Sequence, residues 1–314
     1  MNARFDRSRR RLLGASAGAG LAAVLGGLPR PVAAAEDVLA TRPIPVSGER
    51  LPIVGIGTAI IFDFDNDPVK FAERREVVRA LAAGGGRLID TAPGYGRAED
   101  RVGEVVAELG VRDKLFLATK FSFAAEHAAA TASMQASLRR LKTNRVDLMQ
   151  AWNVGEPGYD FGLLREWQRQ GLCRYTGMTT SFARQYDAIV KVLAREKPDF
   201  LQVNYSLGDR EAESAVLPAA RDSGAAVLVN LPFGRNSLFR KVGSRPLPGF
   251  AAEFGARTWA QVFLKFILSH PAVTAVIPGT DKLEYMLDNL QAGSGQMPDA
   301  AMRNRIVEYW DSLA

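Results

Sequence analysis

The chain has 314 residues, of which 47% are hydrophobic and 24% are charged, a composition typical of globular proteins large enough to bury a core. The formal net charge is +6, but residues 1–35 hold six arginines and one aspartate, so residues 36–314 carry only about +1. This distribution argues against a basic nucleic-acid-binding surface, and two histidines with one cysteine exclude a metal site built from several His or Cys ligands.

Residues 1–35 have the parts of an export signal. The sequence Ser-Arg-Arg-Arg-Leu-Leu at 8–13 resembles the twin-arginine pattern, a Gly- and Ala-rich apolar run spans 12–28, and three alanines at 33–35 offer a cleavage site. A membrane anchor is the alternative, but the run is short, weakly hydrophobic and followed by prolines. We therefore expect the twin-arginine machinery to export a periplasmic domain of residues 36–314, with no stable membrane anchor.

After the signal, a short hairpin is predicted at 43–52, and strand-like runs then alternate with amphipathic helical segments. The eight predicted strands are residues 53–59, 88–91, 115–121, 146–153, 175–180, 200–206, 226–231 and 273–277. The helical segments include residues 76–83, 100–109, 131–141, 163–170, 186–195 and 258–268. Eight such units in roughly 260 residues predict an α/β fold, a (β/α)8 TIM barrel. An open doubly wound sheet is disfavoured because residues 55–58 lack the third glycine of a phosphate loop.

Cys173, at the edge of the fifth predicted strand, is the only cysteine. It has no partner in the chain for a disulfide. We expect a buried, inert thiol.

Polar residues follow the predicted strands where barrel enzymes carry their chemistry. Asp90 and Lys120 end neighbouring strands, and since buried charges must be paired, they are expected to form an ion pair. A cation beside a phenol favours the phenolate, which would make Tyr95 a general acid. From the residues alone, a structural ion pair with a packing tyrosine remains equally open.

Five motifs in chain order resemble the aldo-keto reductases. They are LIDTAPGYG at 88–96, LATK at 117–120, DLMQAWN at 147–153, QVNY at 202–205, and the segment 277–289, which begins Ile-Pro-Gly-Thr. The resemblance extends from about residue 54 to residue 289, nearly the whole of the predicted mature chain. It implies the same (β/α)8 barrel.

The resemblance also implies a function, the reduction of an aldehyde or ketone by NADP(H) or NAD(H). Tyr95 would give the proton, tuned by Lys120 and Asp90, beside Trp152. The residues that match cofactor-binding positions are Gly57, Thr58, Thr179, Thr180, Gln202, Phe233, Gly279, Thr280, Tyr285 and Asn289. Among them, Thr179, Thr180 and Gln202 would hold the nicotinamide carboxamide. Thr280 would bind the adenosine phosphate, at a helix start that favours anions, and Asn289 would bind adenine.

Three departures from the family pattern affect these expectations. Trp152 stands where a histidine usually orients the carbonyl, and its ring either donates a hydrogen bond or fills the substrate site. Gly279 and Tyr285 replace a lysine and an arginine that pair with the NADPH 2′-phosphate, so we expect either tolerance of NADH or weak binding of both cofactors. Asn230 replaces the tyrosine under the nicotinamide ring, which leaves Phe233 or Arg235 to cover it.

Two other functions remain open. A catalytically silent barrel that binds a ligand or partner is favoured by Trp152 and the altered cofactor segment. A hydrolytic barrel with Asp90 and Glu156 as paired carboxylates is disfavoured by the expected pairing of Asp90 with Lys120. The expected partners are a small carbonyl substrate and the export machinery, with the protein a monomer or weak oligomer.

Overall fold

Eight parallel strands form the frame of the molecule. The computed structural model describes residues 38–122, 126–155 and 161–313, so the predicted signal and Glu156 lie outside the described residues. The strands are β3 (Ile56–Gly57), β4 (Leu88–Asp90), β5 (Phe116–Phe121), β6 (Val146–Ala151), β7 (Cys173–Thr180), β8 (Phe200–Asn204), β9 (Ala226–Asn230) and β10 (Val273–Val276). Each pairs in parallel with its neighbour in sequence, from β3 to β10.

Two bridges between the first and last of these strands close the sheet. Val54 pairs with Val276 and Gly57 with Gly279, both in parallel. The predicted (β/α)8 barrel is therefore confirmed. The first strand is shorter than the predicted 53–59, whereas β7 begins two residues earlier than predicted, at Cys173.

A hairpin packs against the apolar interior of the barrel. Its strands β1 (Thr41–Pro43) and β2 (Arg50–Pro52) pair in an antiparallel manner, which confirms the predicted hairpin. Ile44 and Leu51 are fully buried and belong to the same apolar cluster as the inward-facing side chains of the barrel strands. The hairpin thus adds two apolar side chains to the barrel interior.

Helices connect the strands and cover the outside of the barrel. The α-helices are α1 (Pro68–Ala83), α2 (Ala98–Leu109), α3 (His127–Arg140), α4 (Gly162–Arg169), α5 (Tyr186–Glu196), α6 (Val216–Ser223), α7 (Ser237–Val242), α8 (Trp259–Leu268), α9 (Leu283–Ala292) and α10 (Ala300–Ser312). Short 3-10 helices span Arg112–Lys114, Ala183–Gln185, Glu211–Glu213 and Gly249–Phe254. Within the described ranges, no helix is both long and apolar enough to cross a membrane.

The start of α1 shows how local sequence sets a helix boundary. The Asp67 carboxylate accepts hydrogen bonds from the backbone N–H groups of Val69 and Lys70, each at 3.0 Å, and a proline occupies the first helical position. An aspartate cap followed by proline is a strong helix start. The prediction of a helix at 76–83 was therefore too short at its beginning, because the charged first turns hide the apolar period.

Alternation along the strands separates two apolar layers. In β4, Leu88 belongs to the cluster inside the barrel, and Ile89 belongs to the cluster between barrel and helices. In β9, Ala226 and Leu228 face the interior in the same way. Because successive strand residues point to opposite faces, the residue two positions after each of these inward-facing side chains also points into the barrel.

We predict that Cys173 does not react with a thiol reagent such as Ellman's reagent in the folded protein at about pH 8. The side chain is 2% exposed, and burial, with the nearby Asp199 carboxylate, raises the pKa of the thiol to about 12. The neutral thiol is a poor nucleophile. One equivalent should react after unfolding in guanidinium chloride, which is the control. Rapid labelling of the folded protein would contradict this assignment.

Candidate active site

A layer of polar side chains lies directly above the apolar interior, toward the C-terminal ends of the strands. Each of its residues comes two positions after an interior apolar residue or, in β7, four positions after one. The layer comprises Asp90 on β4, Lys120 on β5, Gln150 on β6, Thr179 on β7, Gln202 on β8 and Asn230 on β9. This is the end of a barrel where catalytic groups lie.

A buried ion pair lies in this layer. Lys120 Nζ lies 2.6 Å from Asp90 Oδ2 and donates to the Thr91 carbonyl at 2.9 Å, and the two charged residues are 1% and 2% exposed. The other carboxylate oxygen, Asp90 Oδ1, accepts from Gln150 Nε2 at 3.0 Å and from Gln202 Nε2 at 2.7 Å. The predicted pairing of Asp90 with Lys120 is therefore present, and both carboxylate oxygens have donors.

The pairing keeps the lysine charged. Burial alone would lower the pKa of Lys120, but the Asp90 carboxylate and the Tyr95 phenol raise it, and the net shift is upward. The ammonium lies 5.0 Å from the centroid of the Tyr95 ring. A protonated amine is thus fixed beside the phenol at neutral pH.

Trp152 packs against Tyr95. The two rings are 5.6 Å apart and nearly perpendicular, at 89°, a favourable edge-to-face arrangement. A Cβ at Gly94 would come within 2.4 Å of the indole ring, so the glycine leaves the space that the indole fills. The structure brings Asp90, Tyr95, Lys120 and Trp152 together, and contact of the indole with a substrate remains a prediction.

Two residues that support this cluster were not assigned a role from the sequence. Gln150 lies within the DLMQAWN motif at 147–153, and its position two residues after the inward-facing Leu148 was the signal that could have identified it. Asp63 Oδ1 accepts from the Arg97 backbone N–H at 2.9 Å and closes the loop that carries Tyr95. No local pattern in the sequence indicates this second contact.

The residues expected to hold the nicotinamide carboxamide all lie at the barrel mouth, and each already has a partner in the protein. Thr179 Oγ1 accepts from the Asn153 backbone N–H at 3.2 Å. Thr180 Oγ1 lies 2.5 Å from Gln185 Oε1. The Gln202 amide donates to Asp90, as described above. Their role toward a carboxamide remains a prediction.

The region expected to hold the rest of a cofactor begins at the closure of the barrel. Thr58 donates to the Asp90 carbonyl from both its backbone N–H and its hydroxyl, each at 3.0 Å. Gly57 pairs with Gly279 across the closing bridge. A Cβ at Gly279, which is exposed, would meet only Ile61 Cδ1, at 3.9 Å, so the surface beside Gly279 is open.

Beyond Gly279, the expected adenosine-binding residues differ in exposure. Thr280 and Asn289 are 1% and 3% exposed, and Asn289 Nδ2 donates to Thr280 Oγ1 at 3.0 Å. Tyr285, on α9, is 50% exposed, with Lys282 Nζ 5.7 Å from its ring centroid. Tyr285 is therefore accessible to a ligand, whereas Asn289 fixes the segment before α9.

Phe233, expected in the loop after β9, is half-buried and packs on Phe239, with ring centroids 5.0 Å apart. The same loop holds Leu231, Arg235 and Asn236 at φ values of 50°, 51° and 66°. Left-handed backbone at three non-glycine residues is costly and marks a constrained loop. Coverage of a cofactor by Phe233 or Arg235 remains a prediction.

The described residues contain no group of three or more His, Cys, Asp or Glu side chains placed to hold a metal ion. Asp90, one of the two carboxylates of the hydrolytic alternative, is fully engaged by Lys120, Gln150 and Gln202. A carboxylate so engaged is a poor general base, which disfavours that alternative.

Comparison with known sequences gives a consistent result. Residues 54–310 match the profile of the Aldo/keto reductase family. The aldo-keto reductase str7 of Strobilurus tenacellus is 27% identical over 277 residues, which cover 75% of this chain and 82% of that protein. An aldo-keto reductase of Mycolicibacterium vanbaalenii is 31% identical over 228 residues, which cover 69% and 75%.

Solved structures show the same fold. An aldo/keto reductase from Klebsiella pneumoniae in complex with NADP and acetate has a TM-score of 0.71 at 23% identity, with 84% of this chain and 93% of that chain covered. A thermostable aldo-keto reductase solved with the inhibitor epalrestat has a TM-score of 0.68 at 26% identity, with 88% and 100% covered.

We predict that Asp90 and Lys120 are strongly coupled in their contributions to the free energy of unfolding. Lys120→Met should lower the free energy of unfolding by about 3 kcal/mol, because it leaves a buried carboxylate without its cation. Adding Asp90→Asn should restore about 1–2 kcal/mol, because the charge is removed while an oxygen remains for the two glutamines. Urea unfolding at neutral pH measures both values.

The matched control is the exposed pair Arg221 and Asp222, 3.3 Å apart. Arg221→Met and Asp222→Asn should couple by at most ~1 kcal/mol. Additive effects at Asp90 and Lys120 would show that the buried pair does not act as a unit.

Proposed function

Because the chain belongs to the aldo/keto reductase family, we propose that it is an NAD(P)H-dependent oxidoreductase that reduces an aldehyde or ketone to an alcohol. The observation that carries the proposal is the buried Asp90–Lys120 pair with Lys120 Nζ 5.0 Å from the Tyr95 ring. A fixed cation beside a phenol at the barrel mouth suits proton donation to a developing alkoxide.

In this mechanism, each residue of the cluster has a defined task. Tyr95 gives its hydroxyl proton to the carbonyl oxygen, and the Lys120 ammonium stabilises the phenolate that remains. Asp90 holds Lys120, and Gln150 and Gln202 fix Asp90 from the other side. A bound nicotinamide supplies the hydride that the carbonyl carbon receives.

Observations at the barrel mouth fit a nicotinamide cofactor. An acceptor in the polar layer, Asn230 Oδ1, is buried and has no hydrogen-bond partner among the described residues. At the other end of the expected site, the surface beside Gly279 is open, and Tyr285 is exposed for stacking on adenine. Relatives solved with NADP or NADPH further support this cofactor class.

We expect a weak preference for NADPH over NADH. Gly279 and Tyr285 provide no cation for a 2′-phosphate, and Lys282, whose Nζ lies 5.7 Å from the Tyr285 ring centroid, is a candidate replacement. An ammonium acts on phosphate as a point charge without the bidentate geometry of arginine.

A second candidate, a silent barrel that binds a ligand or partner, is favoured by one observation. The Trp152 ring occupies the space beside Tyr95 and above Gly94, where the family usually has a histidine. In that case the ion pair serves stability alone. The following experiment separates the two functions.

We predict that Tyr95→Phe lowers kcat/KM for an aromatic aldehyde such as 4-nitrobenzaldehyde by about 10²–10⁴-fold, because the proton donor is lost. Dinucleotide affinity, measured by quenching of tryptophan fluorescence, should remain within about twofold, since the phenol ring that packs on Trp152 is kept. Oxidation of NADPH and NADH in the presence of the aldehyde provides the activity assay.

Tyr309→Phe is the matched control, because Tyr309 packs on Phe250 on the outside of the barrel and should keep full activity. Equal turnover by Tyr95→Phe and the parent would exclude Tyr95 as the acid. Folded parent protein that binds neither NADPH nor NADH would favour the silent barrel.

We also propose that residues 1–35 direct export to the periplasm by the twin-arginine route. The pattern at 8–13 supports this, and it predicts that the full chain expressed in a bacterium appears in the periplasm as a shorter form. Arg9→Lys with Arg10→Lys keeps the charge but should leave a full-length cytoplasmic protein. Equal export of this variant would exclude the twin-arginine route, and a full-length cytoplasmic parent would exclude export.

A further inference from the structure

Asn230 is the residue of the polar layer whose hydrogen bonding is incomplete. Four buried side-chain nitrogen or oxygen atoms have no hydrogen-bond partner within the described part of the chain, and they belong to Arg75, Thr91, Ser206 and Asn230. Of these four, only Asn230 lies on a barrel strand. Buried polar atoms are rarely left unpaired in proteins, so each one requires an explanation.

The position of Asn230 directs its side chain into the barrel mouth. Ala226 and Leu228, four and two residues earlier on β9, face the interior, and alternation places Asn230 on the same side. Its Nδ2 reaches the carbonyl of Thr180, at the end of β7, at 3.5 Å. Because β8 lies between β7 and β9, the side chain can make this contact only across the mouth.

The contact with Thr180 also fixes which way the amide faces. A carbonyl oxygen accepts but cannot donate, so the Asn230 nitrogen points to Thr180 and its oxygen points away. That oxygen, Oδ1, is excluded from solvent and can only accept a hydrogen bond. The mouth therefore presents an acceptor that awaits an N–H or O–H donor.

The chemistry of the proposed reaction narrows the choice of donor. The carbonyl group of an aldehyde or ketone is itself an acceptor, so it cannot satisfy Asn230 Oδ1. The carboxamide of nicotinamide carries two N–H donors, and this ring must lie near Tyr95 and Lys120, at the level of the polar layer, to react. The expected carboxamide ligands Thr179, Thr180 and Gln202 are, in addition, already engaged by protein groups.

We propose that Asn230 recognises the nicotinamide carboxamide by accepting a hydrogen bond from its N–H group at Oδ1. This inference rests on the proposed function and adds to it a residue that orients the ring. The unpaired acceptor gains its partner only when the cofactor binds, so the interaction contributes to affinity and to orientation together.

The test compares two dinucleotides that differ only at this group. NADP⁺ carries the carboxamide, and its 3-acetylpyridine analogue carries a methyl ketone, which keeps the carbonyl and loses both N–H donors. The full chain should bind NADP⁺ about tenfold more tightly than the analogue, the size of one hydrogen bond to a buried partner. Titration calorimetry gives both dissociation constants, and the NAD⁺ pair is measured in parallel.

Variants at position 230 test whether Asn230 Oδ1 is responsible for the preference for NADP⁺ over the analogue. Asn230→Leu should weaken NADP⁺ binding by about tenfold, leave the analogue unchanged and thereby abolish the preference. Asn230→Asp keeps an acceptor and should retain the preference, which distinguishes recognition from a structural role. Asn144→Leu makes the same chemical change at an exposed residue before β6, at the opposite end of the barrel, and should behave as the parent. Circular dichroism verifies the fold of each variant.

The failures of the two proposals are distinguishable. If the parent binds NADP⁺ or NAD⁺ and Asn230→Leu keeps the same preference, or if the parent has no preference for the carboxamide, the assignment of Asn230 is wrong and the proposed function stands. If the folded parent binds no dinucleotide of either series, the proposed function fails and the role of Asn230 fails with it.

Discussion

The interaction on which the mouth of this barrel depends is the buried pair between Asp90 and Lys120. Removing two charges from water is costly, and their attraction offsets that cost only with good geometry and full hydrogen bonding. Here the pair meets both conditions, with a 2.6 Å contact and donors to both carboxylate oxygens. The backbone of Asp90 also holds Thr58, so one residue links β3, β4, β5, β6 and β8. The hydrogen bonds of this one residue thus connect the strands around the mouth.

How much of the fold and of the candidate site could be predicted from the sequence depends on how far apart the contacting residues lie in the chain and in the barrel. Eight apolar runs with helices between them predict the barrel, because strands buried on both faces are continuous in hydrophobicity. Asp90 and Lys120 could be paired in advance because parallel strand ends meet at one edge. The hydrogen bonds that Gln150 and Gln202 donate to Asp90 could not be predicted, since those contacts cross the barrel and depend on the register of the five strands from β4 to β8. The contact of Asp63 with the loop of Tyr95 is equally long-range, between residues 34 apart in sequence.

The tryptophan at position 152 depends on the glycine at position 94. The indole fits against Tyr95 because residue 94 has no side chain, so the two positions act together although they lie on different strand ends. A smaller ring at 152 would leave a gap over Gly94, and a larger residue at 94 would displace the indole. This coupling means that the tryptophan is part of the architecture of the loop carrying Tyr95. Its presence therefore narrows the space beside Tyr95, the proposed proton donor, without disturbing the Asp90–Lys120 pair.

The two sides of the polar layer differ in how completely their side chains are hydrogen-bonded. On the side of β4, β5 and β6, the charges of Asp90 and Lys120 are matched within the protein, which suits groups that must keep one geometry through a reaction. On the side of β9, Asn230 retains an unmatched acceptor, which suits a surface completed by a ligand. An unpaired buried acceptor costs about 1–3 kcal/mol, and a fold retains that cost more readily where binding later removes it. The same layer thus has a fully paired part, where we propose the chemistry takes place, and a part with an unpaired acceptor, where we propose the cofactor is recognised.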